Sequence, residues 1–204
     1  MRRWIRNPYA WAFVVGCALT TLMRPLLRRI PPPPPVLRQV PPFSLVSSEG
    51  RPFGSEELRG HIYVANFFFT RCRSICPALM KGMATLQRRF RDEGLEPIRL
   101  VSISIDPYDT PPRLREAAPG YGVDPSRWIL LAGPQDRVRS LALDGFQVAI
   151  GEPGGDGFAG IAHAAKLLLV DGGGALRGAY DGDELGLDEA FWRARRVFEE
   201  SQGR

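Results

Sequence analysis

The stretch FFFTRCRSICPALM, residues 67–80, sets two cysteines four apart, Cys72 and Cys76, between an aromatic run and a proline. Upstream of them HIYVANFFF, 61–69, is an almost unbroken series of apolar, β-branched and aromatic residues. That is the pattern of a strand buried on both faces. Downstream, Ile75, Leu79, Met83, Leu86 and Phe90 recur at steps of three and four, one face of a helix expected to end near Gly94. The thiols therefore fall at the C-terminal end of a strand and at a helix N-terminus, where the helix dipole favours a thiolate.

FSLVSSEGRPF (43–53) reads as a short hairpin, and SEELRG (55–60) as a helical turn with Ser55 as cap and Gly60 as stop. IRLVSISI (98–105) is a second buried strand, followed by the turn DPYDTPP and a short helix. WILLAG (128–133) is strand-like, QDRVRSLAL (135–143) helical and FQVAI (146–150) strand-like. After a glycine-rich loop, 161–182 forms a hairpin turning on Gly172, Gly173 and Gly174, and 187–201 an amphipathic helix. Strands alternating with helices, closed by a hairpin, predict an α/β fold with a mixed β-sheet flanked by helices. The strand, cysteine loop and helix stand in the thioredoxin arrangement.

The net charge of +5 belongs to the N-terminus: residues 1–30 carry six arginines and no acid, which leaves about −1 for the rest. No electrostatic footprint for nucleic acid remains. Residues 8–23 are uncharged and mostly apolar, and arginines at both ends can snorkel, so an N-terminal transmembrane helix is expected. VVGC, 14–17, also resembles a bacterial lipobox, with a lipid on Cys17 as the alternative tether. Five prolines at 31–35 favour a stiff polyproline spacer of roughly 3.1 Å per residue. The expected organisation is a membrane anchor over 1–30, a Pro-rich linker over 31–42 and a folded domain over 43–204.

Cys72 and Cys76 have three readings: buried small hydrophobes, a redox couple, or half of a metal site. Thioredoxin-like enzymes use C-x-x-C. The three-residue spacer here still permits a disulfide and spreads the sulfurs enough to admit an ion. Two thiolates are soft ligands for Cu(I) or zinc. Structural zinc wants four cysteine or histidine ligands, and beyond residue 30 there are only two of each. Two sulfurs and one nitrogen suit copper better. His163 is the natural third donor: it precedes the strand AAKLLLV, and no proline occurs in 158–169, where thioredoxins carry a cis-proline against their sulfurs. His61 reads as a surface residue at a strand entry, and Met80 and Met83 as core. Asp106 and Asp109 either cap the turn or support the thiols from a neighbouring strand end. The P-x-x-x-T-x-x-C loop of a thiol peroxidase is absent.

Together FTRCRSICP (69–77), SISIDPYDTP (102–111) and HAAKLLLVDGGG (163–174) resemble the Sco/SenC family, membrane-anchored thioredoxin-like copper proteins that help assemble the binuclear copper centre of cytochrome c oxidase. The resemblance spans about 43–198. It implies copper, as Cu(I) or Cu(II), on Cys72, Cys76 and His163, with Asp106 just outside the ligands. It implies a metallochaperone on the extracytoplasmic, periplasmic side of the membrane. Its partners would be the oxidase copper-centre subunit, other copper chaperones and thiol reductants. The chain departs from the family in having one residue fewer between Asp106 and Asp109, and alanines, Ala162 and Ala164, on both sides of His163. The rival reading is an extracytoplasmic thiol–disulfide reductase with Cys72 and Cys76 as its redox pair. Only His163 separates the two.

Overall fold

The computed structural model describes residues 8–27, 32–150 and 165–203. The chain divides into two units, Met1–Pro32 and Pro33–Arg204. In the first, α1 (Pro8–Leu27) has 20 residues, a length of roughly 30 Å. Among the described residues no helix is long and apolar enough to cross a membrane. The expected spanning segment, 8–23, lies within α1 and is helical.

The second unit is built on an eight-stranded sheet: β1 (Arg38–Gln39), β2 (Ser44–Ser47), β3 (Pro52–Gly54), β4 (Tyr63–Phe68), β5 (Arg99–Ser104), β6 (Trp128–Ala132), β7 (Lys166–Val170) and β8 (Ala175–Asp181). The spatial order is β1-β8-β7-β4-β5-β6-β2-β3. β4 runs parallel to β5, and β5 to β6, whereas β7 is antiparallel to β4. Every residue of β4 is buried, as its unbroken apolar sequence requires of a central strand. Asn66 is its one polar residue. Its Oδ1 accepts from Ser102 Oγ at 2.5 Å, Ser102 Oγ accepts from Trp128 Nε1 at 2.8 Å, and Asn66 Nδ2 donates to Met80 Sδ at 3.7 Å. A hydrogen-bonded chain through the core thus satisfies every polar group that it buries.

The helices are α2 (Ser55–Leu58), α3 (Cys76–Asp92), α4 (Pro111–Tyr121), α5 (Gln135–Ser140) and α6 (Glu184–Ser201). α3 buries Leu79, Met80, Met83, Leu86 and Phe90, as its periodicity predicts, and packs on α6 with Phe90 stacked on Phe191 at 5.5 Å. Gly94, at φ +69°, stops it. Ser55 does not cap α2. Gly54 holds that position, with its N–H on Glu57 Oε2 at 2.7 Å, and Ser55 Oγ accepts instead from Phe43 N. FQVAI is not a strand. After α5 the chain widens into a π-turn at Leu141–Gly145, and Gln147 takes φ +56°, which breaks the extended run while Phe146, Val148 and Ile150 stay buried.

The proline-rich segment joins the domain early. The buried guanidinium of Arg177 donates to Pro34 O at 2.7 Å, Leu37 N to Leu176 O at 2.9 Å, and β1 pairs with β8. Arg177 also reaches Asp171 and Glu200, at 3.0 and 2.7 Å. Any free spacer therefore ends before Pro34.

Candidate metal and thiol site

β4 ends at Phe68 and α3 begins at Cys76, so Cys72 lies in the connecting loop and Cys76 in the first helical turn. The loop turns back at once, with Cys72 N donating to Phe69 O at 3.3 Å. Ile75, at the helix N-cap, offers no side-chain acceptor. A sulfur does the capping: Cys76 N donates to Cys72 Sγ at 3.3 Å. Ser74 Oγ lies 3.6 Å from the same sulfur. The orphan N–H of a helix N-terminus thereby meets the atom that gains most from carrying negative charge.

The two thiols are driven apart. Burial pushes Cys72 up, but hydrogen bonds from the Cys76 thiol, the backbone N–H groups of Cys76 and Ser74, and the Ser74 hydroxyl outweigh it, and its pKa lies below the ordinary thiol value. Burial, the hydrogen bond that it gives to Cys72, and the charges of Cys72 and Asp109 push Cys76 up to about 12. Cys72 is the reactive sulfur of the pair and Cys76 the reserve thiol. Both are free thiols.

The loop is fixed from beneath by Asp109, which is 2 % exposed. Asp109 Oδ2 accepts from Thr70 N at 2.8 Å and from Ser104 Oγ at 2.6 Å, and Oδ1 accepts from the Thr70 hydroxyl. The turn after β5 closes with Asp109 N donating to Asp106 O at 3.0 Å, and the carboxylate folds inward. Tyr121, at the end of α4, has its ring edge-on to Phe68 at 6.0 Å. Burial and the charges of Cys76, Asp109 and Cys72 raise its pKa.

Asp106 lies on the outer side of the same turn. Arg71 Nε and Nη2 grip its two oxygens at 2.8 and 3.2 Å, and Tyr108 N donates to Oδ1 at 2.9 Å. The guanidinium of Arg71 also lies over the Tyr108 ring at 4.8 Å. Arg71, Thr70, Ser104 and Tyr121 join the site without having been picked out from sequence; only adjacency to Cys72 marked Arg71.

His163 lies outside the described residues. β7 pairs antiparallel with β4 from Tyr63↔Val170 to Ala65↔Leu168. Carried on in the same register, Ala165 comes level with Phe68, where β4 gives way to the cysteine loop. Gly182 N donates to Ala165 O at 2.9 Å, and a Cβ on Gly182 would fall 2.7 Å from Leu79 in the first turns of α3. Ala165, just before β7, thus lies near the helix that begins with Cys76. Among the described residues no three histidine, cysteine, aspartate or glutamate side chains come together as a metal site. His61 stands before β4, at the opposite end of that strand from the cysteines, with Nε2 3.2 Å from Arg99 Nη2. Met80 and Met83 are fully buried core residues. Cys17 is exposed on α1.

A family model described as SCO1/SenC matches residues 33–197. A Stutzerimonas stutzeri protein, provisionally named as copper-binding, is 33% identical over 144 residues, 69% of this chain and 68% of that protein. A SCO1/SenC family lipoprotein from Bacillus anthracis str. Ames superposes with a TM-score of 0.71 at 27% identity, covering 79% of this chain and 95% of that one. BsSco, described as having a disulfide switch and as a member of the Sco family of cytochrome c oxidase assembly proteins, superposes with a TM-score of 0.71 at 27% identity over 85% of this chain and 99% of its own. The mixed sheet flanked by helices is the thioredoxin-like architecture of these structures. With the family model spanning most of its length and the cysteine loop between β4 and α3, the chain belongs to the SCO1/SenC family.

Proposed function

We propose that this protein carries copper to the binuclear copper centre of cytochrome c oxidase, holding the ion as cargo on Cys72, Cys76 and His163. The observation that carries the reading is the capping of α3 by Cys72 Sγ. It favours the thiolate of Cys72 and keeps a second thiol in contact with it. Two sulfurs suit Cu(I), and an imidazole adds the nitrogen that Cu(II) prefers. Cys72 takes the ion first. Cys76, protonated at neutral pH, must give up its proton as the ion displaces it, so loading releases acid. Release is ligand exchange onto a partner's donors, with no electron transferred. Joined as a disulfide, the sulfurs have no thiolate to offer, so their redox state sets whether the protein can load.

The family relationship supports a copper-related role and an oxidase partner in general. The same thiol pair would serve a reductase that keeps oxidase cysteines reduced, and that is the second reading. Reduced full-length protein, in detergent, titrated with Cu(I) against a chelator separates them. One equivalent bound, and lost in Cys72→Ser and in Cys76→Ser, supports the carrier. No binding, together with reduction of a disulfide peptide, leaves only the reductase.

Membrane attachment through residues 1–30, with the domain on the extracytoplasmic side, belongs to the same proposal. α1 supplies an apolar helix and Cys17 an exposed thiol for a lipid, and the similar Bacillus anthracis protein is a lipoprotein. Mass spectrometry of the membrane fraction tests it: an intact N-terminus means a helical anchor, and a chain starting at a diacylated Cys17 means a lipid anchor. Full-length chain in the soluble fraction contradicts both.

A further inference from the structure

Among the described residues, exposed arginines gather at the loop that holds Cys72 and at the turn after β5. Arg71 and Arg73 flank the cysteine and both are exposed. Arg113, exposed at the start of α4, donates to Tyr108 O at 3.2 Å and so brings a third guanidinium to the same turn. The carboxylate of the same turn, Asp106, is already gripped by Arg71. Asp109 is turned inward on Thr70 and Ser104. Arg73 makes no ion pair among the described residues. Tyr108 is 64 % exposed, with Arg71 over its ring and Arg113 on its carbonyl.

The geometry points to a docking face here for an acidic protein surface, one whose carboxylates surround the thiols or metal donors with which Cys72 exchanges. This rests on the proposed function and adds the chemistry of the partner. Arginine and tyrosine are the residues that most often anchor interfaces. Arg71 is held in advance by the fork to Asp106 and the stack on Tyr108, yet its side chain is 54 % exposed. It therefore loses little freedom on binding. A carboxylate approaching Arg73 and Arg113 meets cations without competing with an existing pair on Arg73. Such complementarity acts mostly on the rate and orientation of encounter. Arg71 adjoins Cys72, so a partner docked on it brings its donors to the more accessible sulfur.

The test uses the full-length protein in detergent, oxidised so that Cys72 and Cys76 are joined, and three dithiol peptides differing only in acidic, neutral or basic residues around their cysteines. In the exchange, a peptide thiolate attacks Cys72 Sγ, the bond to Cys76 breaks and Cys76 leaves with the electron pair and takes a proton. The second peptide thiolate then attacks the peptide sulfur of the mixed disulfide and expels Cys72 Sγ, which leaves with the electron pair, so the peptide is oxidised and the protein reduced. The neutral peptide reports thiol reactivity, and the ratio of acidic to neutral rates reports docking. At about 20 mM salt the ratio should be at least about tenfold, and it should collapse towards one near 0.5 M. Arg73→Glu should bring it to one or below. That substitution removes no ion pair among the described residues, and the neutral peptide shows whether the site is intact. Arg71→Gln, which keeps a polar group beside Asp106, should lower it several-fold.

Equal acidic and neutral rates at low salt, or a preference unchanged in Arg73→Glu, overturn the proposal. So does suppression of the neutral-peptide exchange by anionic phosphatidylglycerol vesicles when Arg73→Glu relieves it, since the rim would then face lipid. The ratio is read without copper. A chain that binds no copper but keeps the acidic preference loses the carrier reading and retains the docking face.

Discussion

Asp109 holds Thr70 by its backbone N–H and its hydroxyl at once, while Ser104 shares the same carboxylate. Thr70 lies two residues before Cys72, so the end of β5 and the turn after it set the start of the cysteine loop. Removing the carboxylate would leave three donors without their acceptor, the hydroxyl of buried Ser104 and two on half-buried Thr70. Each such loss costs about 1–3 kcal/mol.

Asp109→Ala should therefore lower stability by roughly 2–4 kcal/mol, with a fall in Tm of roughly 5–15 °C. Asp109→Asn, which keeps the volume and one acceptor oxygen, should lose less. Thermal melts of the reduced protein measure both. Equal stability in Asp109→Ala would mean that the loop is held by other contacts.

The thiols should alkylate in a fixed order. Cys72, whose pKa is lowered, reacts at lower pH than an unperturbed thiol, because its thiolate persists down to its folded pKa. Cys76, pushed up to about 12, stays protonated and unreactive until strongly alkaline solution. Timed iodoacetamide labelling with peptide mapping across pH 6 to about 10 reads the difference. Equal rates at the two cysteines would contradict the assignment. In the oxidised protein the same mapping should find Cys72 linked to Cys76, with Cys17 outside the bridge.

Arg177→Ala should free the incoming segment. It removes a buried guanidinium shared by Pro34 O, Asp171 and Glu200, at a cost of roughly 2–4 kcal/mol. Limited proteolysis within 33–37 should accelerate well beyond cleavage elsewhere. An unchanged digestion pattern would show that β1 alone secures the segment.

The elements that could be read from sequence were those written in local patterns. β4 is legible in its apolar run, α3 in the spacing of Ile75 to Phe90, and the cysteine loop between them in its length. What was not legible depends on contacts distant in sequence. FQVAI has a strand's composition, but Gln147 in the left-handed region bends it away from the sheet. Asp106 and Asp109 both read as turn caps or supports. Only the fold divides them, sending Asp109 inward to Thr70 and Asp106 outward to Arg71. Arg71 carries no signal of its own until β5 places Asp106 across from it. Arg177 claims Pro34 across 143 positions, a distance at which no local pattern speaks.

Copper binding is tested by a Cu(II) titration of the reduced full-length protein and of His163→Ala, followed by the sulfur-to-copper absorption and run beside a Cu(I) titration of each. The unaltered protein should bind one equivalent of each ion. His163→Ala should lose the Cu(II) band while Cu(I) binding largely persists, because two thiolates can hold the soft ion but Cu(II) needs the nitrogen. Failure of the unaltered protein to bind either ion, with His163→Ala reducing a disulfide peptide as fast as the parent, would contradict the carrier reading.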